Sequence, residues 1–375
     1  MSIQTILGNE AIALGLVEQG CRVVTAYPGT PSSEILAGVV KHKKRLGYEV
    51  YTEWSANEKV AFEVALAASW TGLRAAVAMK QVGLNVASDP LFSAAYTGVK
   101  GGFVVIPADD PGPISSQTEQ DSRLVALTAK VPAFDPSTPE EARAMVRDAL
   151  ELSERYRVPV ILRPTTRLCH AVQSLTIDDN LPPNNGIPSV KFRRDPLHWT
   201  ATPKLRYKLH VELNQKLRDI AAEFSASPLN YVVGPIENRK SKIENQVGII
   251  ASGVAFHTAQ QALLELGVQI PILKIGTPFP LPQKLVDEFV AQFETVVVIE
   301  EPDACIELQI SERGRVRGRL DGTVPGAGEL TPEVVFSFLS EVLSEAGHPV
   351  NPPPGDSELA TLIGELPLPV RRPRL

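Results

Sequence analysis

Across residues 1–170, short uninterrupted apolar runs alternate with longer stretches in which apolar positions recur at helical spacing. Gly8 to Glu18 carries Ala11, Ile12, Leu14, Leu16 and Val17, a pattern that predicts a helix ending at Gly20. Arg22-Val-Val-Thr-Ala26 follows as a short buried strand. Tyr27-Pro-Gly breaks the chain, and Thr30-Pro31-Ser32 reads as a helix cap with proline at the first helical position. Tyr48–Thr52 is a second strand. Glu58–Trp70, with Val60, Ala61, Phe62, Val64, Ala65 and Leu66, is apolar nearly all round and predicts a buried helix. Leu73–Met79, Gly102–Pro107 and Pro159–Arg163 have strand length, and Pro139–Arg155 is a helix with a charged face. Strands alternating with helices predict an α/β fold built on a doubly wound, mostly parallel sheet.

From Ala171 to Asn245 that alternation is lost. Asn180–Asn185 is a polar turn region and Leu205–Phe224 one amphipathic helix, so the stretch reads as a long connector packed along its neighbours. Alternation resumes at Val247–Gly253 and runs through Ala255–Leu266, Ile270–Ile275 and Thr295–Glu300, which predicts a second, smaller α/β unit. The last stretch holds seven prolines between Pro349 and Pro373 and reads as a linker or tail. The expected division is therefore 1–170, a connector at 171–245, 246–345, and a proline-rich 346–375.

Length and composition sharpen this only in places. A chain of 375 residues suggests two domains, and 43% hydrophobic with 21% charged residues is an ordinary globular balance. A net charge of −6 excludes the basic excess of a nucleic-acid binder. Cys21, Cys169 and Cys305 are far apart with no C-x-x-C pair, so no zinc ribbon or iron–sulfur motif is present and a reducing cytoplasm is expected. The N-terminus lacks a basic segment followed by an apolar core, and no apolar run reaches membrane-spanning length, so no membrane partner is expected.

Ligands of open α/β sheets gather where strands run into helix N-termini. Four such loops carry candidate chemistry. Tyr27–Ser33 offers hydroxyls and free N–H groups to a carboxylate or phosphate, or is only a capped turn. In Thr52–Glu58, Ser55 and Glu58 have the spacing of a capping box; alternatively Glu58 is a partly buried carboxyl that shares a proton with a ligand. In Met79–Val86, Gly83 allows close backbone approach beside apolar neighbours, or marks an ordinary turn. Ala108–Arg123 is long and polar, and its Asp109-Asp110 pair is a weak hint of a metal. The histidines show no metal spacing, and neither G-x-G-x-x-G, a Walker A segment nor G-x-S-x-G occurs, which leaves nucleotide oxidoreductases, P-loop enzymes and serine hydrolases without a motif.

Taken in order, Gly8-Asn-Glu-Ala11, Tyr27-Pro-Gly-Thr-Pro-Ser-Ser-Glu34, Asn57-Glu-Lys-Val-Ala61, Met79-Lys-Gln-Val-Gly-Leu-Asn85, Asp109-Asp-Pro-Gly112, Ser115-Ser-Gln117, Gln120-Asp-Ser-Arg123 and Thr165-Thr-Arg167 with His170 resemble the alpha subunit of indolepyruvate ferredoxin oxidoreductase. The likeness continues more weakly through Gly248–Gly253, Glu300-Glu301 and Gly328–Pro332. It implies a thiamine diphosphate-dependent 2-oxoacid:ferredoxin oxidoreductase, with a pyrimidine-binding first domain and a transketolase C-terminal-like second. On the resemblance, Glu58 hydrogen-bonds the pyrimidine ring nitrogen and is catalytic. Gln81, Val82, Gly83 and Asn85 lie by the pyrimidine, and Thr30, Ser115, Ser116 and Gln117 on the substrate side.

The family subunit continues into a diphosphate-binding domain and a ferredoxin-like domain. Here no G-D-G-type magnesium motif and no cluster cysteines are found, and Leu375 falls about where the next domain would start. The resemblance therefore implies that magnesium and a 4Fe-4S cluster reside in other segments or in a partner, and that the metal site in this chain is none. Oxidative decarboxylation of an aryl-2-oxoacid with coenzyme A and ferredoxin, a beta subunit and a dimeric assembled unit complete the expectation. Another 2-oxoacid, whether pyruvate, 2-oxoglutarate or branched-chain, is an alternative. So is a non-catalytic assembly protein that keeps the fold.

Overall fold

Parallel strands buried on both faces need helices as crossovers and as cover, and the alternation in the first half supplies both. The structure is a computed structural model. It describes residues 1–178, 192, 194–199, 202–234, 246–348 and 350. In chain order the strands of the first half are β1 (Ser2–Leu7), β2 (Val23–Ala26), β3 (Tyr51–Trp54), β4 (Ala75–Lys80), β5 (Phe103–Ala108), β6 (Ala133–Phe134), β7 (Val160–Leu162) and β8 (Val172–Ile177). The second half adds β9 (Asn230–Val233), β10 (Val247–Ser252), β11 (Ile272–Ile275), β12 (Thr295–Ile299) and β13 (Val316–Arg317).

Six strands form a wholly parallel sheet in the order β3-β2-β4-β5-β7-β6. From β2 the chain winds outward to β3, then returns past β2 to β4 and winds the other way. The topological switch therefore lies between β2 and β4, and a crevice opens there beyond their carboxyl ends. Ile12 and Leu16 from one helix and Met145 and Val146 from another enter one core with Val24, Val77, Val104 and Ile161. Phe62 meets Phe103 edge-on at 5.0 Å within it.

The helix Glu58–Thr71 corrects the expectation of burial all round. Ala61, Phe62, Ala65, Leu66 and Ser69 are buried, while Val60 is exposed, because the sheet covers only one side of the helix. Helix Pro203–Phe224 matches the predicted amphipathic segment and buries Leu209, Leu213, Ile220 and Phe224. The stretch read as a connector contains two strands. β8 pairs antiparallel with β1, and β9 joins the second sheet against β11. That five-stranded sheet runs β13-β12-β10-β11-β9 and is parallel apart from β9. The predicted turn at Asn180–Asn185 and nearly all of the proline-rich stretch lie outside the described residues. Among the described residues no helix is long and apolar enough to cross a membrane, and the three cysteines are buried and unpaired.

Charge, not only apolar packing, joins the two sheets. Arg123 donates through Nε and Nη2 to Asp121, and through Nη2 to the carbonyls of Glu301 (2.8 Å) and Asp303 (3.1 Å). Its Nη1 lies 3.2 Å from Glu300 Oε2. Arg163 donates to Asp109 (2.7 Å), Asp135 (3.2 Å) and the carbonyl of Glu301 (2.9 Å). Ser252 donates to the other oxygen of Asp135 at 2.6 Å. Burial, offset in part by Arg163, pushes the Asp109 carboxyl up to about 6. Burial likewise pushes Glu300 up to about 7, against the pull of Arg123. Asp121 is buried too, but the guanidinium of Arg123 outweighs that and holds it below the usual carboxylate range. At the rim, Arg167 pairs with Glu301 and with Glu329.

Candidate functional site

The four loops singled out in the sequence all leave carboxyl ends of parallel strands and meet at the crevice between β2 and β4. In Tyr27–Ser33 the predicted cap is corrected. The N–H groups of Ser32 and Ser33 donate back to the carbonyl of Gly29, so a turn precedes the helix, whose first residue is Ser33. Thr30 is thus left exposed in the turn, outside the helix. Asn9, fully buried, holds the turn from below by donating to the carbonyl of Pro31 (2.6 Å) and to Glu34 (3.1 Å).

Ser55 and Glu58 do not form a capping box. Asn57 caps the helix, its side chain accepting from Val60 N at 2.9 Å, and Ser55 Oγ donates to Glu53 at 2.7 Å. Glu58 is released from a capping role, and among the described residues its carboxylate has no hydrogen-bond or ion-pair partner. Instead it lies over Gly83. A Cβ placed on Gly83 would stand 2.5 Å from Glu58 Oε1 and 2.6 Å from its Cγ. Two residues 25 positions apart, each ambiguous alone, thus account for one another: the glycine is what leaves room for the carboxyl.

Gly83 belongs to the helix Gln81–Val86, whose start lets β4 deliver Lys80 and Gln81 into the crevice. Gln81 is 2% exposed; its Nε2 donates to the Thr118 carbonyl at 3.3 Å, while its Oε1 is buried without a partner. Val82 is half-buried, and the exposed Asn85 donates to Gln120 at 3.0 Å. Lys80 reaches across to the carbonyl of Ser115 at 2.9 Å. Ser115 Oγ in turn donates to the carbonyl of Thr30 at 3.4 Å, which brings Thr30 and Ser115 together. Ser116 is turned onto Asp110 (2.7 Å), and Gln117 is exposed.

The hint of a metal at Asp109-Asp110 is corrected. Asp109 is filled by Arg163 and Ser122, and Asp110 by Ser116, Thr166 and backbone N–H groups. Carboxylates that already accept several hydrogen bonds have fewer lone pairs to offer a cation. Among the described residues no group of three or more His, Cys, Asp or Glu could hold a metal ion.

Sequence reasoning missed the role of Asn9 and the paired roles of Arg123, Arg163 and Glu300-Glu301. The signal was present for the last set. Arg163 and Glu300 each end an otherwise apolar strand, a place where a charge is unexpected unless partnered.

Loops converging on the switch point of a doubly wound sheet, with an unpartnered carboxylate seated over a glycine, define a ligand-binding α/β protein. The family described as "Pyruvate flavodoxin/ferredoxin oxidoreductase, thiamine diP-bdg" matches residues 15–208, and "Indolepyruvate oxidoreductase domain" matches residues 237–338. Over 325 residues the chain is 42% identical to indolepyruvate oxidoreductase subunit IorA of Archaeoglobus fulgidus, covering 85% of this chain and 50% of the relative. The chain spans about half the length of the IorA relatives it matches. A solved 2-oxoglutarate:ferredoxin oxidoreductase from Magnetococcus marinus superposes with a TM-score of 0.70 at 21% identity, covering 91% of this chain and 65% of that one. A split-gene transketolase in an inactive β4 tetramer gives 0.55 at 15% identity, covering 90% and 97%. These two likenesses concern the fold. The chain belongs to the pyruvate flavodoxin/ferredoxin oxidoreductase family, thiamine diP-bdg.

The residues present fit one part of a thiamine diphosphate site. A heterocycle with ring nitrogens and an amino group suits an unpartnered carboxylate, a buried amide oxygen on Gln81 and a glycine floor. Donors for the magnesium that accompanies a diphosphate are not gathered among the described residues.

Gly83→Ala isolates the close approach. Alanine is the better helix former, so stability is expected to stay within about 1 kcal/mol of the parent. The added methyl displaces Glu58, and turnover of the assembled enzyme is expected to fall about 100-fold. Thermal melts beside turnover check this; full activity would show that Glu58 need not lie where it does.

Proposed function

We propose that this chain supplies the pyrimidine half of a thiamine diphosphate site in an indolepyruvate-type 2-oxoacid:ferredoxin oxidoreductase. The observation that carries the reading is the Glu58 carboxylate held over Gly83 at the switch-point crevice, in a chain 42% identical to an IorA subunit. Residues 1–170 form the pyrimidine-binding domain and 246–345 the transketolase C-terminal-like domain, 171–245 connects them while lending β8 to β1 and β9 to the second sheet, and 346–375 is a proline-rich tail or linker. The diphosphate and magnesium contacts, the 4Fe-4S cluster and a beta subunit come from other polypeptide, and the assembled unit works in the cytoplasm as a dimer.

When bound, thiamine diphosphate supplies the electron sink for breaking the bond between the carboxylate and the carbonyl carbon of a 2-oxoacid. Glu58 pairs its carboxyl with the pyrimidine ring nitrogen, the two groups sharing a proton. Gly83 keeps that approach open, and Gln81, Val82 and Asn85 line the ring. Thr30 and Gln117 offer hydroxyl and amide donors to the substrate's carboxylate side, and Ser115 and Ser116 form the edge beside them, their hydroxyl protons given to the Thr30 carbonyl and to Asp110. The three unpaired thiols suit a reducing compartment.

The test is dye reduction. The complex purified from its own source is expected to reduce viologen when given indolepyruvate and coenzyme A, and the isolated 375-residue chain to remain silent. Viologen reduction by the isolated chain would overturn the shared-site reading; silence of the complex with every 2-oxoacid would overturn the activity itself.

A further inference from the structure

The loop from Asp109 to Arg123 crosses the mouth of the crevice, and a single buried carboxylate shapes its middle. Asp110 Oδ2 accepts the backbone N–H groups of Ile114 (3.2 Å), Ser115 (3.0 Å) and Ser116 (3.1 Å), and also the Ser116 hydroxyl (2.7 Å). Its Oδ1 accepts the hydroxyl of Thr166, at 2.7 Å, from the segment that follows β7. Consecutive N–H groups converging on one point form a nest that favours an anion, and here the anion comes from the loop's own root. Burial opposes ionisation of Asp110, but the hydrogen bonds from Ser116, Thr166, Ser115 and Ile114 outweigh it and hold the carboxyl below its usual range.

What this carboxylate fixes is not an idle turn. Ser115 stands between the two loops nearest the switch point, its carbonyl on Lys80 and its hydroxyl on the Thr30 carbonyl. The far side of the loop is fastened separately: Glu119 accepts from Gly112 N (2.6 Å) and from Gly328 N (3.1 Å). Between those fastenings only Asp110 accepts the backbone N–H groups of Ile114, Ser115 and Ser116 among the hydrogen bonds of the described residues. Ile114 itself is 71% exposed, so burial does not hold the segment.

We infer that Asp110 is a positioning residue: it sets the Ser115–Ser116 edge opposite Thr30, where the 2-oxoacid substrate is received, without touching the substrate itself. The inference rests on the function proposed above and goes beyond it, because it assigns substrate affinity to a buried side chain whose hydrogen bonds go to its own loop and to Thr166. Asp110 therefore acts on binding and not on the chemical step.

Two variants and two readouts test this. Asp110→Ala removes every acceptor. Asp110→Asn keeps one oxygen for the nest and turns an NH2 toward Thr166, so it is expected to restore much of what alanine loses and serves if alanine fails to fold. In the 375-residue chain, amide hydrogens of residues 114–116 are expected to exchange about tenfold faster in the alanine variant, with asparagine intermediate. In the assembled enzyme, KM for the 2-oxoacid is expected to rise about tenfold with kcat within about threefold of the parent. Unchanged exchange in both variants would show that something else holds the loop. Faster exchange with unchanged KM, or a loss confined to kcat, would show that Asp110 does not set substrate affinity. A parent complex that turns over no 2-oxoacid would overturn the proposed function before any variant is compared, and this inference with it.

Discussion

Glu58→Gln is expected to lower turnover of the assembled enzyme by two to four orders of magnitude, about the usual yield of a positioned general acid–base. The amide is nearly isosteric and sits over the same glycine, so shape is retained while the exchangeable carboxyl proton is lost. Stability is expected to change little, because Asn57, not Glu58, caps the helix. The contrasting variant is Asn57→Ala, which removes the cap and is expected to cost about 1 kcal/mol while sparing catalysis. Urea unfolding and turnover of both variants together decide the matter. A Glu58→Gln protein with normal turnover would reduce the carboxylate to a bystander and favour a non-catalytic member that has kept the fold.

The second large effect is expected at Arg123, far from any reacting atom. Arg123→Met leaves Asp121 and Glu300 buried beside an apolar side chain, and stripping one partner from a buried ionic group typically costs about 3–5 kcal/mol. Arg123→Lys is expected to recover little, since the guanidinium spreads its donors over Asp121, Glu301 and Asp303 and one ammonium cannot reach them all. Chemical denaturation measures the loss. Both variants falling within about 1 kcal/mol of the parent would mean that Arg123 does not hold the two sheets together.

These two residues also mark how far the sequence could be read. Buried strands such as Ala75–Lys80 and Phe103–Ala108 announce themselves because only apolar, mostly β-branched or small residues survive between two helical layers. The loops that follow them were legible as well, since a switch point must lie somewhere in a doubly wound sheet. Which neighbour each polar residue takes was not legible. Spacing within Ser55–Glu58 suggested a local hydrogen bond, yet Glu58 answers to Gly83 on another strand's loop. β1 and β8 were missed for a related reason: Ile3, Thr5, Val172 and Ser174 face solvent, so neither strand shows the continuous apolar run of the central sheet. Asp110 looked like a metal ligand because a sequence shows a carboxylate's charge and not the donors that fill it.

The fastening of the loop Asp109–Arg123 to the second sheet has a consequence for how the molecule is made. Arg123 meets Glu301 and Asp303 across 178 and 180 positions, and Glu119 meets Gly328 across 209. A ribosome delivers chain at roughly 5–20 residues per second, N-terminal unit first. The six strands β2 to β7 can therefore pair while the loop over the crevice still lacks its distant anchors, for on the order of ten seconds or more. Order at the mouth of the site comes after the first sheet, and a nascent chain with that sheet finished is not yet a receptive one.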